Sequence, residues 1–204
     1  MRHLAQPGSV TATRLLDAAE NLMRSRGWSA VSYRDLAAEV GIRSASIHHH
    51  YPAKADLGDA LIGRYTSTFM DNLHRLDEER GSALDRFSGY LDLVRDALSG
   101  GVAMCLCARL VADFELLPEG MRGQISEFMQ QNIDWIADTL SLGVTQGVFA
   151  PIEDVKSVAW LVYSEVQGVQ LLVRGFVDIT RFDEVADQLI RRLAPARALD
   201  LRAG

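Results

Sequence analysis

The 204-residue sequence predicts an all-α protein, with an N-terminal three-helix helix-turn-helix domain and a larger C-terminal helical domain. Apolar residues recur at the three- and four-residue spacing of a helix face over most of the chain. No segment alternates apolar and polar residues as a half-buried strand would. Residues 32–57 contain two short helical patterns joined by a glycine turn. We expect domain boundaries at 1–56 and 57–204, without a flexible linker.

The N-terminal domain is predicted to contain three helices. The first covers residues 11–25 and ends at Gly27. The second ends at Gly41, because only glycine adopts the left-handed conformation of a helix C-terminus at little cost. The third is expected to begin at Ser44, whose hydroxyl caps it, and to stop before Pro52.

Six further helices are predicted, over residues 54–80, 83–99, 102–117, 121–142, 153–174 and 181–193, with breaks at Gly100-Gly101 and over 143–151. The first of them spans the domain boundary. The segment 102–117 is almost entirely apolar, which favours a helix that is buried on most sides.

The two helical patterns of residues 32–57 have the order and turn of a DNA-binding helix-turn-helix. Small hydroxyl residues at the start of the second pattern allow close approach to base edges, and Arg43 can reach a guanine or a phosphate. The N-terminus of the preceding helix can bind a phosphate. The predicted DNA contacts are Ser32, Tyr33, Arg34, Arg43, Ser44, Ala45, Ser46, His48, His49, Tyr51 and Lys54.

This stretch resembles the DNA-binding domain of TetR-type transcriptional repressors. The shared positions are Ser32, Arg34, Asp35, Leu36, Ala37, Gly41, Ile42, Ile47, Tyr51, Lys54 and Leu57. Family members usually carry Ser at position 43, Lys or Arg at 44 and Tyr at 48, so the operator and the phosphate contacts are expected to differ here. The resemblance implies a homodimeric repressor that binds palindromic double-stranded DNA and a small-molecule effector.

Charge is distributed unevenly along the chain. The net charge is −6, but residues 1–54 contain seven basic and four acidic residues, a net of +3, which leaves −9 for the remainder. A basic end on an acidic body suits a protein that offers one end to phosphates. No apolar run reaches the ~18 residues of a membrane span, and the start lacks a signal-peptide pattern, so we expect a cytoplasmic protein.

An effector pocket in the C-terminal domain is implied by the resemblance. Its expected lining is Phe69, Tyr90, Cys105, Arg109, Phe128, Trp135, Trp160 and Tyr163, although aromatic residues at helical spacing are more often plain core. Three charges, Arg109, Asp113 and Glu165, lie inside apolar segments. They are either paired with each other or placed to bind a polar ligand.

Residues 104–118 also resemble a core helix of a TetR subgroup, some members of which respond to electrophilic compounds. Cys105 and Cys107 are the positions to which such chemistry would transfer, with Arg109 as the nearest cation. The alternative is two buried, inert thiols. A thiol enzyme is opposed by the absence of a histidine from the helices around the cysteines.

The histidines of the recognition helix predict no metal site. Consecutive helical residues point ~100° apart, so His48, His49 and His50 cannot converge on one ion. The sequence predicts no cofactor.

The last two helices carry more apolar positions than one buried face requires, which favours a four-helix bundle across a two-fold axis rather than a hairpin within one chain. The predicted contacts of this dimer are Val158, Val162, Val166, Val169 and Leu189.

Overall fold

The structure is a computed structural model that describes residues 10–98 and 104–195. Within these residues it contains helices and no strand, which confirms the all-α prediction. The helices are α1 (Val10–Arg26), α2 (Tyr33–Val40), α3 (Ser44–His50), α4 (Lys54–Glu79), α5 (Ala83–Leu98), α6 (Leu106–Val111), α7 (Glu119–Gln146), α8 (Val155–Phe176) and α9 (Thr180–Leu193), with a 3-10 turn at Phe114–Leu116. No helix in these ranges is long and apolar enough to cross a bilayer.

The described chain forms two compact units. Unit 1 contains the residues up to Thr68 together with Leu106–Phe128, and unit 2 contains Phe69–Cys105 and the residues from Met129 onward. The unit boundaries therefore fall inside α4 and inside α7. These units are not the predicted segments 1–56 and 57–204, because the first turns of α4, all of α6 and the start of α7 group with the N-terminal helices. The predicted division remains a prediction about function.

Local signals in the sequence explain the bounds of α2. Ser32 accepts the Asp35 N–H at 3.3 Å, and the Asp35 carboxylate accepts the Ser32 N–H at 2.8 Å. These bonds, with the Ser32 hydroxyl first among the causes, hold the pKa of Asp35 below its usual range. The cap is therefore at full strength above pH ~4 and is lost as pH falls through the lowered value. At the other end Gly41 adopts φ 75° and donates to the Ala37 carbonyl.

The start of α3 differs from the prediction. The capping position is Arg43, which makes no side-chain capping bond, and Ser44 is the first helical residue rather than the cap. Ser44 therefore does not occupy the capping position that its hydroxyl is predicted to fill. Helix α3 is held instead by Ile47, which is completely buried in unit 1.

The prediction of one long helix over residues 102–117 is wrong. The chain forms the short α6, a turn and a 3-10 turn, while Gly100-Gly101 and the first predicted residues lie outside the described ranges. The Asp113 N–H bonds the Leu110 carbonyl, three residues back, and the Asp113 carboxylate accepts the Trp28 N–H at 2.8 Å. This long-range bond turns the segment, so Leu116 is 65% exposed instead of buried.

Helix α7 extends past the predicted end at residue 142. Gly143 continues the helix, and a Cβ there would lie 2.0 Å from a Phe149 ring carbon. The glycine makes room for a buried aromatic ring rather than ending the helix. Gly147, at φ 70°, follows the end of α7.

Unit 2 is built around one apolar core. Helices α5, α7, α8 and α9 contribute Phe87, Tyr90, Ile136, Val166 and Phe182, each at most 1% exposed. Helix α8 starts at an Asp154 cap, which accepts the Ser157 N–H, and ends at Val177 with φ 55°. The close pairing of α8 with α9 means that the apolar stripes of both helices largely serve this core.

Candidate nucleic-acid interface

The α2–α3 pair presents a continuous outer face. Of the predicted DNA contacts, Ser32, Arg34, Arg43, Ala45, Ser46, His48 and His49 are exposed, and Tyr33, Ser44 and Lys54 are half-buried. The opposite side of the pair is closed, because Leu36 and Ile47 are fully buried. The outer face of the pair therefore carries Arg34 from α2, Arg43 just before α3, and the small hydroxyl side chains and imidazoles of α3, a helix that a major groove can admit.

Tyr33 joins the start of α2 to the end of α3. Its hydroxyl donates to the Tyr51 carbonyl at 2.7 Å, and its ring meets the His48 ring edge-on with centroids 4.8 Å apart. Burial, followed by the charge of Asp56, raises the pKa of Tyr33 to about 12. The hydroxyl therefore stays a neutral donor at physiological pH.

Two predicted DNA contacts are used largely within unit 1. Tyr51 is only 8% exposed, so its side chain has little surface for a partner. Lys54 donates from Nζ to the Trp28 carbonyl at 2.5 Å and lies 4.2 Å from the centroid of the Trp28 ring. Burial lowers the pKa of Lys54, an effect that Asp113 and Asp35 oppose. The Lys54 ammonium therefore stabilises unit 1 and also adds positive charge near α3.

The histidines of α3 do not converge. His48 is close to the Pro52 carbonyl, with its Nδ1 3.2 Å from that oxygen, while the rings of His49 and His50 contact each other at 5.6 Å. Within residues 10–98 and 104–195, no group of three His, Cys, Asp or Glu side chains is arranged to hold a metal ion.

A hydrogen-bonded latch in unit 1, formed by Arg26, Gly27, Trp28, Arg109 and Asp113, is only partly visible in the sequence. Asp113 accepts the Trp28 N–H, and Arg109 donates from Nη2 to the Arg26 carbonyl at 2.8 Å. Arg109 and Asp113 also lie 3.9 Å apart as an ion pair. That Arg109 and Asp113 pair with each other is one of the two alternatives expected from the sequence. Their hydrogen bonds to the α1–α2 turn could not be predicted, because the residue spacing of α6 carries no sign of them. The latch ties α6 to the turn that precedes the helix-turn-helix.

The predicted effector residues do not form one set. In unit 2 the Tyr90 ring contacts Phe69 and Trp135, with centroid distances of 6.4 Å and 5.6 Å. Arg109 and Phe128 instead belong to unit 1, where Phe128 packs on Tyr65. Trp160 is 55% exposed, whereas Tyr163 is buried in the core. The residues predicted to line one effector pocket are therefore divided between the two units.

Tyr90 is a buried polar group of interest in unit 2. It is completely buried, and its hydroxyl has no hydrogen-bond partner among the residues that the structure describes. Burial, with the nearby Cys105 as a smaller cause, raises the pKa of Tyr90 far above its usual range. Close by, the buried Gln170 accepts the Cys105 N–H through Oε1 at 2.8 Å. An unsatisfied buried hydroxyl costs free energy, so it marks a place where a polar ligand atom would be favoured.

Two other features of unit 2 bear on the predicted sites. Glu165, like Arg109 and Asp113, is paired, since Arg192 on α9 donates to its carboxylate. A pocket of about 230 Å³ lies beside this pair and is lined by Val158, Leu161 and Leu189, with none of the predicted effector residues. Cys105 and Cys107 are both buried thiols.

Four of the five predicted dimer contacts are buried within the single chain. Val162, Val166, Val169 and Leu189 are at most 3% exposed within a single chain, so they belong to its core, and Val158 is half-buried. Another side of α8 is exposed instead. Its large apolar residues are Trp160, Leu161, Leu171, Leu172 and Phe176, all more than half exposed, and they flank Ser164, Gly168 and Gly175.

Comparisons with known proteins agree with this geometry. Residues 15–61 match the family model described as bacterial regulatory proteins, tetR family. The HTH-type transcriptional repressor KstR2 of Mycobacterium tuberculosis is 26% identical over 150 residues, which cover 72% of this chain and 74% of that protein. The regulator CymR of Pseudomonas putida is 20% identical over 193 residues, covering 93% and 92%.

Solved structures extend the likeness to the whole fold. A TetR-family regulator from Agrobacterium tumefaciens superposes with a TM-score of 0.87 and 26% identity, covering 91% of this chain and 98% of that one. A TetR regulator from Legionella pneumophila gives 0.83 and 29%, covering 92% and 100%. Residues 15–61 therefore match the tetR-family model, and the chain as a whole is similar to TetR-family transcriptional regulators rather than to enzymes.

Proposed function

We propose that this protein is a homodimeric transcriptional repressor of the cytoplasm, whose hold on a palindromic operator is controlled by a small molecule bound in unit 2. The observation that carries the proposal is the exposed face of α2 and α3, where Arg34, Arg43 and the polar residues of α3 stand over a closed apolar side. Two copies of α3 held about one DNA turn apart, ~34 Å, would enter successive major grooves.

The dimer is supported by the exposed stripe on α8. Five large apolar side chains on one helix face cost free energy in water and are typical of an interaction surface. Their spacing along α8 follows the helix repeat, and the small residues Ser164, Gly168 and Gly175 run between them. Small residues in an apolar stripe let two helices approach closely. A second copy with the same stripe would complete the surface by two-fold symmetry.

Effector binding is supported by Tyr90, with its unsatisfied hydroxyl in an aromatic environment formed by Phe69, Phe87 and Trp135. An effector that offers this hydroxyl a hydrogen bond would be mostly apolar, with one polar group. It would act on DNA binding by favouring one of two conformations. The chain runs from Cys105 of unit 2 directly into α6, which the latch fastens to the α1–α2 turn, so this segment is the route we assign to the signal.

The alternative, a regulator that senses electrophiles through Cys105 or Cys107, has less support. Both thiols are buried, and Arg109, the nearest cation in the sequence, is bonded to Arg26 and Asp113. A thiol becomes reactive when it is accessible and next to an available cation.

Replacing Tyr90 with phenylalanine is expected to raise the free energy of unfolding by about 1 kcal/mol, because it removes a buried hydroxyl that lacks a partner among the described residues. Tyr33→Phe is the matched control. It makes the same chemical change where the hydroxyl donates to the Tyr51 carbonyl, and so should lower stability. Urea unfolding of both variants measures the difference. A Tyr90→Phe protein that is less stable than wild type would mean that the hydroxyl is already satisfied.

The test of DNA binding is a selection from a random duplex library, followed by titration of the selected sequence over a range of salt. Arg43→Ala is expected to weaken binding and to flatten the plot of log affinity against log salt. A phosphate contact contributes a slope of about −0.9, so two copies per dimer should remove about 1.8.

Arg181→Ala is the control for this titration, since it removes one exposed arginine from α9 in unit 2 and should leave the slope unchanged. Failure to select any sequence would contradict the proposed function. An unchanged slope in Arg43→Ala would remove only the phosphate contact assigned to Arg43.

A further inference from the structure

We propose that His48 reads one base pair in each half-site and that protonation reverses what it reads, from a hydrogen-bond acceptor when neutral to a donor when charged. The inference rests on the proposed DNA-binding function and adds to it a residue that determines specificity in a pH-dependent way.

The hydrogen bond to Pro52 fixes the tautomer of the neutral ring. Nδ1 of His48 lies 3.2 Å from the Pro52 carbonyl oxygen, and a carbonyl oxygen only accepts. Nδ1 must therefore carry the hydrogen, which leaves Nε2 as the acceptor in the neutral imidazole. Nε2 points away from Pro52, and the side chain is exposed on the outer side of α3.

The ring is also held from a second direction. Tyr33 meets it edge-on at 4.8 Å with an interplanar angle of 65°, and Tyr33 is itself bonded to the Tyr51 carbonyl. Protonation adds a hydrogen at Nε2 and leaves the Nδ1 donor in place, so the bond to Pro52 survives. The orientation of the ring is thereby kept while the chemistry of its outer nitrogen changes.

The two states suit different bases in the major groove. A neutral Nε2 accepts from the amino group of adenine or cytosine, and a protonated Nε2 donates to N7 or O6 of guanine. Histidine is the residue type that changes between these states from pH 8 to pH 5. A tyrosine, which the family usually has at this position, would not titrate in this range.

The ionisable neighbours of His48 come from three elements. Tyr33 on α2 stays neutral because its pKa is raised to about 12. Asp56, near the start of α4, acts on Tyr33 and accepts the Ala53 N–H at 2.8 Å, and Lys54 and Arg43 are basic. His49, the next residue of α3, is also exposed, but its ring contacts His50 and is not held against a carbonyl by the bond that fixes His48. His49 is therefore expected to add affinity without a base preference.

The experiment selects duplexes from a random library with the full-length protein at about pH 8 and at about pH 5.5. Wild type is expected to prefer adenine or cytosine at one position of each half-site at the higher pH. The preference for guanine there should rise about fivefold at the lower pH, as for a single discriminating hydrogen bond. His48→Gln should show one preference at both values, because an amide does not titrate. His49→Gln should keep the change.

The outcomes separate this inference from the function on which it rests. Selection of a sequence at both pH values with no change in base preference, or a change that persists in His48→Gln, overturns the role of His48 alone. Failure of wild type to select any sequence, with circular dichroism showing a folded chain, overturns the DNA-binding function and this inference with it.

Discussion

Replacing Gly168 with glutamate is expected to leave each chain folded, to convert the proposed dimer to monomers and to weaken operator binding at least ~100-fold. Gly168 lies between Leu161 and Leu172 along the exposed stripe of α8. A Cβ added at Gly168 meets no atom of the described residues within 4 Å in the single chain. A glutamate is therefore accommodated by the monomer, and glutamate favours the helix more than glycine does.

The same substitution is expected to destabilise the proposed dimer. If two α8 helices pack along this stripe, a side chain at position 168 stands between them, and a carboxylate is buried against apolar residues without a partner. Loss of the dimer removes the second half-site contact, which otherwise binds at a high effective concentration. Analytical ultracentrifugation and titration of a full palindrome measure the two effects.

Gly63→Glu is the control for this change. Gly63 lies in α4, is exposed, and likewise has no atom of the described chain within 4 Å of an added Cβ. This variant should remain dimeric and should bind the palindrome as wild type does. A Gly168→Glu protein that sediments as a dimer would contradict the α8 stripe as the dimer surface, whatever its affinity for DNA.

The location of the proposed dimer surface could not be predicted from the sequence. Helix α8 has apolar residues on nearly every side, so spacing alone cannot tell which side packs within the chain. The apolar spacing favours Val162, Val166 and Val169, which the core of unit 2 uses. What separates the two sides is the pairing of α8 with α9, which is a tertiary property. The exposed stripe of α8 is identified by the solvent exposure of its side chains in the folded chain, and not by their apolar character alone.

Glycines illustrate the same limit on a smaller scale. The prediction of Gly41 as a left-handed helix end is confirmed, because the helix-turn-helix pattern on both sides of it requires one. Gly143 is predicted to lie in a turn, yet it is helical and makes room for the Phe149 ring. The sequence contains no sign of that contact, since Phe149 is six residues away and approaches from a loop. Local chemistry predicts backbone conformation better than it predicts close packing.

Gly27→Ala is expected to lower the free energy of unfolding by about 3 kcal/mol, which is a large share of the stability of a domain of this size. Gly27 has φ 87°, where a residue with a Cβ is disfavoured by about 1–2 kcal/mol. The new Cβ would lie 2.3 Å from Arg109 Nη2 and 2.7 Å from Asp113 Oδ2. Both side chains must move, and the Asp113 bond to the Trp28 N–H is lost with them.

Gly41→Ala separates the two causes, because Gly41 has φ 75° but a Cβ there meets nothing within 4 Å among the described residues. It should cost only the conformational part, about 1–2 kcal/mol. In a background that carries Arg109→Ala and Asp113→Ala the atoms that the Cβ meets are gone. The cost of Gly27→Ala should then fall to that of Gly41→Ala, as in a double-mutant cycle for groups in contact. Equal costs in the wild-type background, measured by urea unfolding, would mean that the latch does not close over Gly27. A difference that disappears in the altered background would show that α6 is fastened to the α1–α2 turn, as the proposed route of the effector signal requires.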